Sequence, residues 1–372
     1  MFVKTGHPEK IDRLKRSVRD SLQKGAKATL LTIENHTRRL DQIHCVNGLD
    51  ELNEMDIIIE SVKEDLEVKR QVWSHIGSSV DTPHPLLATT TSSFSIAEIG
   101  RFLKGRSSFV GLHFFNPIPL MALVEVIPGE STEAQRLADA ITFCKDIGKS
   151  PLVVKDVRGF LVNRIFGRYL NEATRMLEGG AGSLQEIDVE LSSNLMLSGP
   201  FSMSDLIGLD VLCSVNRNLN DYYGVGRDNR FRISRSLEML CEKGRLGRKT
   251  GRGYYLYTPQ GARDDEAPDE ELTALLSAVR NHSLNDHVPL NKEIAVLSMV
   301  HEAFLCLEEG IVPKARDIDA ALKFGINVFR GPVAAACQMG GHALYQKLKD
   351  MAREFGRRFD PPPIVKNLEG TV

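Results

Sequence analysis

The stretch Gly111-Leu-His-Phe-Phe-Asn-Pro117 holds a histidine between apolar neighbours at what reads as a strand end. An imidazole can take or give a proton near neutral pH. Twelve positions on, Glu125 interrupts the apolar run Leu123-Val-Glu-Val-Ile127. Burying that carboxylate is costly without a partner, and His113 would supply one. Such a pair holds one tautomer and leaves the other ring nitrogen more basic, the arrangement of a general base. Local spacing leaves a plainer alternative open: a satisfied core histidine, with Glu125 pointing outward from an edge strand. Thr89-Thr-Thr-Ser-Ser93 sets a row of hydroxyls directly after a strand. Strand ends of this kind bind ligands in open α/β sheets; a helix N-cap for the segment beginning near Ser95 is the equal alternative.

Positioning these groups calls for a sheet. Short apolar runs alternate with amphipathic helices through the first part of the chain, which predicts an α/β domain with a parallel sheet. Strands are predicted at Asp56–Ile59, Leu86–Thr89, Phe109–Leu112, Leu123–Ile127 and Leu152–Lys155. Helices are predicted over Leu66–Ile76, Ile96–Phe102 and Thr132–Asp146, each with its apolar residues mainly on one side. After Gly159 the strand signal stops, and Phe160–Glu178 has helical periodicity. The polar, acidic stretch Pro259–Glu271 reads as a linker. From Leu272 the chain is helical again until Asp360-Pro-Pro-Pro363, which cannot continue a helix.

An internal repeat spans the helical part. Asn171-Glu-Ala173, Ile187-Asp188 and Gly199-Pro200 recur in the same order as His301-Glu-Ala303, Ile318-Asp319 and Gly331-Pro332. A nearly constant offset predicts two copies of one helical domain. The expected division is therefore 1–156, 157–258, a linker at 259–271, and 272–372.

Composition narrows the function classes. The 372 residues are 42% hydrophobic and 26% charged, with formal net charge -2, which argues against a nucleic-acid partner. Six scattered cysteines show no zinc spacing, so no metal site is expected. They read as single buried thiols, which suit a reducing compartment such as the cytoplasm. No signal peptide is expected in Met1–Arg19, no membrane span in the interrupted apolar region Phe109–Pro128, and no peroxisomal tripeptide at Val372. The basic segment Lys243–Arg252 could meet the phosphates of a small ligand or RNA, or be a solvated turn. The early basic helix with Lys10, Arg13, Lys15, Arg16 and Arg19 likewise reads as a solvated face or as a wall for a phosphate-bearing ligand.

Together these motifs resemble the L-3-hydroxyacyl-CoA dehydrogenase family, in the form fused within multifunctional fatty-acid oxidation proteins. The resemblance rests on Thr89-Thr-Thr-Ser-Ser93 before Gly111-Leu-His-Phe-Phe-Asn-Pro117, then Glu125, then Gly159-Phe-Leu-Val-Asn-Arg164. Leu197-Ser-Gly-Pro-Phe201, Asp205-Leu-Ile-Gly-Leu-Asp210 and the glycine-rich run from Gly244 to Tyr255 extend it. It implies a Rossmann-like sheet domain followed by two related helical domains, and oxidation of L-3-hydroxyacyl-CoA with NAD. It implies His113 as general base, Glu125 as its orienting partner, and Ser92 and Asn163 as hydrogen-bond partners of the reacting oxygen. Glu64, Lys69, Asn116 and Ser92 match the family's NAD contacts; a solvated helix pair is the alternative for Glu64 and Lys69. An enoyl-CoA hydratase partner, or a missing N-terminal segment, is the implied neighbour of the acyl-CoA substrate. In a eukaryote the resemblance implies a mitochondrion or peroxisome as the compartment.

The sequence also departs from that family. No GxGxxG occurs in it, and the nearest approach, Gly224-Val-Gly226, reads as a turn. The family's glycine loop lies in an N-terminal strand-loop-helix unit that lets the backbone reach a pyrophosphate. This chain reads as starting after it, with Met1–Val3 ending the second strand and Thr5 where an acidic residue is expected. A missing central strand would leave a gap in the sheet and exposed strand edges. The rival expectation is a catalytically silent acyl-CoA-binding or scaffold subunit. Thr90 replaces a more usual Asn, and Glu293 stands in the second copy where the first has Asn163, so only the first copy is expected to be catalytic.

Overall fold

The computed structural model describes residues 2–4, 10–26, 42–46, 48, 50–80, 85–103, 106–224, 228–265, 268–280 and 287–370. Thr5 and the Val225-Gly226 pair, both singled out in the sequence, lie outside the described residues. The chain forms two compact units. The first comprises 1–90, 96–111 and 129–142; the second comprises 91–95, 112–128 and 143–372.

The chain begins with strand β1 (Phe2–Lys4), helix α1 (Lys10–Ala26) and strand β2 (His44–Val46). β1 and β2 pair in parallel, Val3 opposite Cys45. Next come β3 (Ile57–Glu60), α2 (Leu66–Ser79), β4 (Leu86–Thr89), α3 (Ile96–Gly100) and β5 (Phe109–Phe114). Then follow β6 (Leu123–Pro128), α4 (Ala134–Asp146) and β7 (Ser150–Val153). The second sheet has five strands in the order β3-β4-β5-β6-β7, and the β1–β2 pair is separate from it among the described residues. β3 pairs with β4, and β4 with β5, in parallel.

The apolar runs make these strands because both faces are covered. All four residues of β4 are buried, as are the first five of β5 and of β6. α2 starts on the Asp65 side chain, which accepts from the amides of Glu67 and Val68 at 3.0 and 3.2 Å. Its inner face buries Trp73 and Ile76, and Trp73 meets the Phe109 ring edge-on at 4.9 Å between centroids. Each such side chain contributes about 1.5–3 kcal/mol of burial free energy.

The second unit continues with α5 (Val162–Glu178), α6 (Leu184–Ser192), α7 (Pro200–Ile207), α8 (Leu209–Leu219) and α9 (Arg235–Glu242). A short antiparallel hairpin, β8 (Leu256–Tyr257) with β9 (Arg263–Asp264), follows. The polar stretch read as a linker thus carries a strand and the first residues of α10 (Glu270–Arg280). The chain ends in α11 (Lys292–Glu308), α12 (Ala315–Ile326), α13 (Pro332–Met339) and α14 (Gly341–Phe355).

The repeated dipeptides have one structural job. Asp188 on α6 accepts the amides of Phe201 and Ser202 at 2.7 and 3.0 Å, capping α7 from outside. Asp319 on α12 does the same for α13 through Val333 and Ala334 at 3.0 and 2.8 Å. The glycines permit this approach: a Cβ at Gly199 would fall 2.4 Å from Asp188, and at Gly331 2.1 Å from Asp319. The two copies also meet at matching positions, where Met196 and Val328 form an antiparallel bridge. α5 and α11 are the buried centre of this arrangement and pack on each other.

Cys144, Cys213, Cys241, Cys306 and Cys337 are free thiols. Cys337 is exposed, against the expectation of burial, because it lies on the outer side of α13. No described helix is long and apolar enough to cross a membrane.

Candidate active site

β5 delivers His113 and β6 delivers Glu125 from neighbouring strands. Both are buried, His113 at 4% exposure and Glu125 at 0%. Glu125 is therefore not an outward residue of an edge strand: β6 lies between β5 and β7, and its side chain turns inward. His113 Nδ1 is 2.6 Å from Glu125 Oε2. With the carboxylate ionised, Nδ1 carries the proton and donates, and Nε2 is left with the lone pair.

The other oxygen of Glu125 has a separate role. Oε1 accepts the backbone amides of Leu161 and Val162 at 3.1 and 3.0 Å. These amides open α5, whose N-cap residue Leu161 offers no side-chain cap. Helix starts leave amides without partners and favour negative charge. The carboxylate on β6 thus caps α5 and holds the imidazole together. The turn into α5 is tight: Gly159 and Phe160 both have positive φ, 75° and 49°. For a bulky residue such as Phe160 that conformation is strained. Its buried ring lies 5.5 Å from the His113 ring, and Phe115 lies 4.6 Å from it, so the imidazole is wedged between two aromatic side chains.

Asn163 sits on the first turn of α5, half-buried, and its Nδ2 donates to the backbone oxygen of Ser92 at 3.1 Å. Ser92 belongs to the hydroxyl row after β4, also half-buried. His113, Glu125, Ser92 and Asn163 are all in the second unit and are joined by this short chain of contacts. Asn163 also lines a narrow cleft with Phe166, Gly167, Leu170, Leu212 and Val215.

The residues matched to NAD contacts are distributed differently. Asn116 is an exposed residue of the second unit. Glu64 and Lys69 are in the first. Lys69 is fully buried, so the pair is not a solvated helix pair. Its ammonium is 3.3 Å from Glu64 and 2.9 Å from Glu60. Glu60, which the sequence reading passed over, ends β3 as a buried carboxylate. It accepts from Lys69, from Trp73 Nε1 at 3.2 Å, from Thr89 Oγ1 at 2.7 Å and from the Val62 amide at 2.7 Å. The available signal was a charged residue closing the β-branched run Ile57-Ile-Ile-Glu60. A glycine-rich loop for the pyrophosphate is absent from the sequence.

The basic segment is largely consumed within the fold. Buried Arg245 donates to the Gly253 carbonyl and to Asp269 and Glu271, Lys249 pairs with Asp210, and Arg252 with Glu271. Asp205 accepts the amides of Tyr254 and Tyr255, and burial pushes its carboxyl up to about 6. Gly253 must be glycine there, since a Cβ would lie 2.0 Å from Asp205. No group of three described His, Cys, Asp or Glu side chains is arranged to hold a metal.

Known proteins carry the same architecture. Residues 2–157 match the NAD binding domain of 3-hydroxyacyl-CoA dehydrogenase, and residues 159–257 match its C-terminal domain. The fatty acid oxidation complex subunit alpha of Vibrio cholerae is 33% identical over 338 residues, 89% of this chain and 46% of that protein. The chain thus spans about half the length of the curated relatives it matches. The crystal structure of 3-hydroxybutyryl-CoA dehydrogenase from Escherichia coli shares the fold, with a TM-score of 0.82 over 98% of this chain and 92% of that one at 24% identity. (S)-3-hydroxybutyryl-CoA dehydrogenase from Ralstonia eutropha is 33% identical with a TM-score of 0.62, covering 69% of this chain and 90% of that one. Two matched domains in the right order and a relative aligned over most of its length show that the chain belongs to the 3-hydroxyacyl-CoA dehydrogenase family.

Proposed function

We propose that this chain oxidises L-3-hydroxyacyl-CoA to 3-oxoacyl-CoA with NAD, as a step of fatty-acid oxidation. The observation that carries the reading is the two-sided use of Glu125, which leaves His113 Nε2 as the basic nitrogen beside the helix start that bears Asn163. In this reading His113 takes the proton of the 3-hydroxyl. The Ser92 hydroxyl and the Asn163 amide hydrogen-bond the same oxygen, which shortens toward a carbonyl as the C3–H bond breaks. NAD, when bound, supplies the acceptor for that hydride. Glu64, Lys69, Asn116 and Ser92 are the residues proposed to hold its nicotinamide half. In the reverse direction His113 returns the proton as a general acid.

The division at 1–156, 157–258, 259–271 and 272–372 is part of this proposal, with the first helical copy catalytic and the second supporting it. The acyl tail is proposed to enter the cleft beside Asn163. The bacterial relative described as a subunit of a fatty acid oxidation complex supports an acyl-CoA substrate and partner subunits; an enoyl-CoA hydratase as that partner and a cytoplasmic setting are part of the proposal. The second, rival reading is an acyl-CoA-binding subunit without redox activity.

The deciding experiment is NADH oxidation by this chain with acetoacetyl-CoA, beside a His113→Ala control. Turnover that disappears in the control supports the dehydrogenase. Acyl-CoA binding without turnover supports the second reading.

A further inference from the structure

We infer that the second helical copy positions the reacting turn of the first, with Glu302 and Glu309 acting as positioning residues through Arg164; the inference rests on the dehydrogenase reading above. Arg164 directly follows Asn163 on α5, and its side chain is fully buried. Its guanidinium donates to Glu302 Oε1 from Nη2 at 2.5 Å and from Nε at 2.9 Å. Nη1 donates to Glu309 Oε2 at 2.6 Å. The planar group also lies over the Tyr223 ring, 4.5 Å from its centroid. A guanidinium held on several edges has one direction available to it, unlike a single ammonium contact.

Glu302 lies in the C-terminal half of α11 and Glu309 is its C-cap residue, while the same turn of α5 gives its Leu161 and Val162 amides to Glu125. Asn163 stands in the chain between the two anchorages. Its amide direction follows from them, with Ser92 O as a third contact. Displacement of a reacting-site group by about 1 Å can cost about 10²-fold in rate.

The pseudo-symmetry of the copies argues that this clamp is more than packing. Glu302 has a counterpart in the first copy, Glu172, which pairs with Arg168 and Arg358. The residue of α11 that matches Arg164 is Ile294, and the one that matches Asn163 is Glu293. The arginine is present only where a reacting residue stands beside it.

The test uses the full chain with Glu309→Gln and Glu302→Gln, and Lys347→Met as a control that removes a surface ion pair of the second copy. One readout is amide hydrogen exchange at Leu161 and Val162; the other is kcat, KM and the isotope effect with NADH deuterated at the transferred hydrogen. The clamp predicts faster exchange at α5's first turn only, kcat lower by about tenfold, KM within about twofold and a larger isotope effect. The control should match the parent chain. Exchange and rates unchanged in both variants would overturn the inference, as would loosening spread along all of α5. Glu302→Gln removes a buried partner and is the variant at risk of misfolding. Glu309 is partly exposed and leaves the Glu302 pair in place, so Glu309→Gln then decides. A parent chain without turnover sinks the dehydrogenase reading, and the exchange data still judge the clamp.

Discussion

Glu125 joins His113 to the start of α5 through opposite oxygens of one carboxylate, Oε2 to the imidazole at 2.6 Å and Oε1 to two backbone amides. One side chain therefore sets both the imidazole tautomer and the place where the helix begins. Glutamine has nearly the same shape but only one acceptor oxygen. In Glu125→Gln its NH2 group must face either Nδ1–H or the amide pair. The expected result is kcat lower by roughly 10²–10⁴-fold, the range for a misoriented general base. Steady-state kinetics with acetoacetyl-CoA and NADH measure it; activity within tenfold of the parent would make the pairing merely structural.

The Glu60–Lys69 pair is buried on both sides, with side-chain exposures of 1% each. Removing one partner of such a pair costs about 3–5 kcal/mol. Lys69→Met should lower stability by that order, while a Glu60→Gln/Lys69→Met double substitution should recover part of the loss. Trp73 is the chain's single tryptophan and donates to Glu60, so its emission reports on this cluster directly. Additive losses in the two single variants would show that the pair is not coupled.

His301 stays neutral in the fold. Its Nε2 donates to the Asp360 carbonyl at 2.8 Å, while burial first, and then Arg168, push its pKa down to about 4. A folded pKa below the unfolded value means that acid favours the unfolded chain. The stability this histidine leaves intact above pH 6.5 is lost as pH falls toward 4, by about 3 kcal/mol in all. Asp205 acts oppositely: burial raises its pKa to about 6, so its contribution declines as pH rises through that value. The first copy has Asn171 where the second has His301. Urea unfolding at pH 7 and pH 5 should therefore show a smaller acid loss in His301→Asn than in the parent. Equal losses would remove His301 as the cause.

Gly167 lines the cleft beside Asn163, and a Cβ there would stand 3.0 Å from Leu219 and 3.4 Å from the Phe231 ring. Gly167→Val should narrow the cleft without touching His113 or Glu125. If acyl tails enter here, turnover of long-chain 3-hydroxyacyl-CoA should fall at least about tenfold more than that of the four-carbon substrate. A single methylene in a tight pocket already discriminates by about tenfold or more, and valine adds three carbons. A uniform loss across chain lengths would place the tail elsewhere.

Much of this protein is determined locally, by its sequence alone. The β-branched and apolar runs specify β3 to β6 because a strand covered on both faces needs little beyond apolar residues in a row. The repeat was legible because each Asp and Gly-Pro serves a contact inside one helical copy. For His113 and Glu125, 12 positions apart, the cost of burying a carboxylate suggested a pair. Spacing left an outward Glu125 open until the adjacent strands placed them 2.6 Å apart. The tertiary structure decided what depends on distant segments. Glu125 caps a helix 36 residues further on, and Arg164 finds Glu302 138 residues away. Glu60 becomes a buried acceptor only when α2 and β4 close over it, which no local pattern encodes. Charges brought together across such separations are stable only because each removes the other's desolvation cost, and that compensation exists only once the chain has folded.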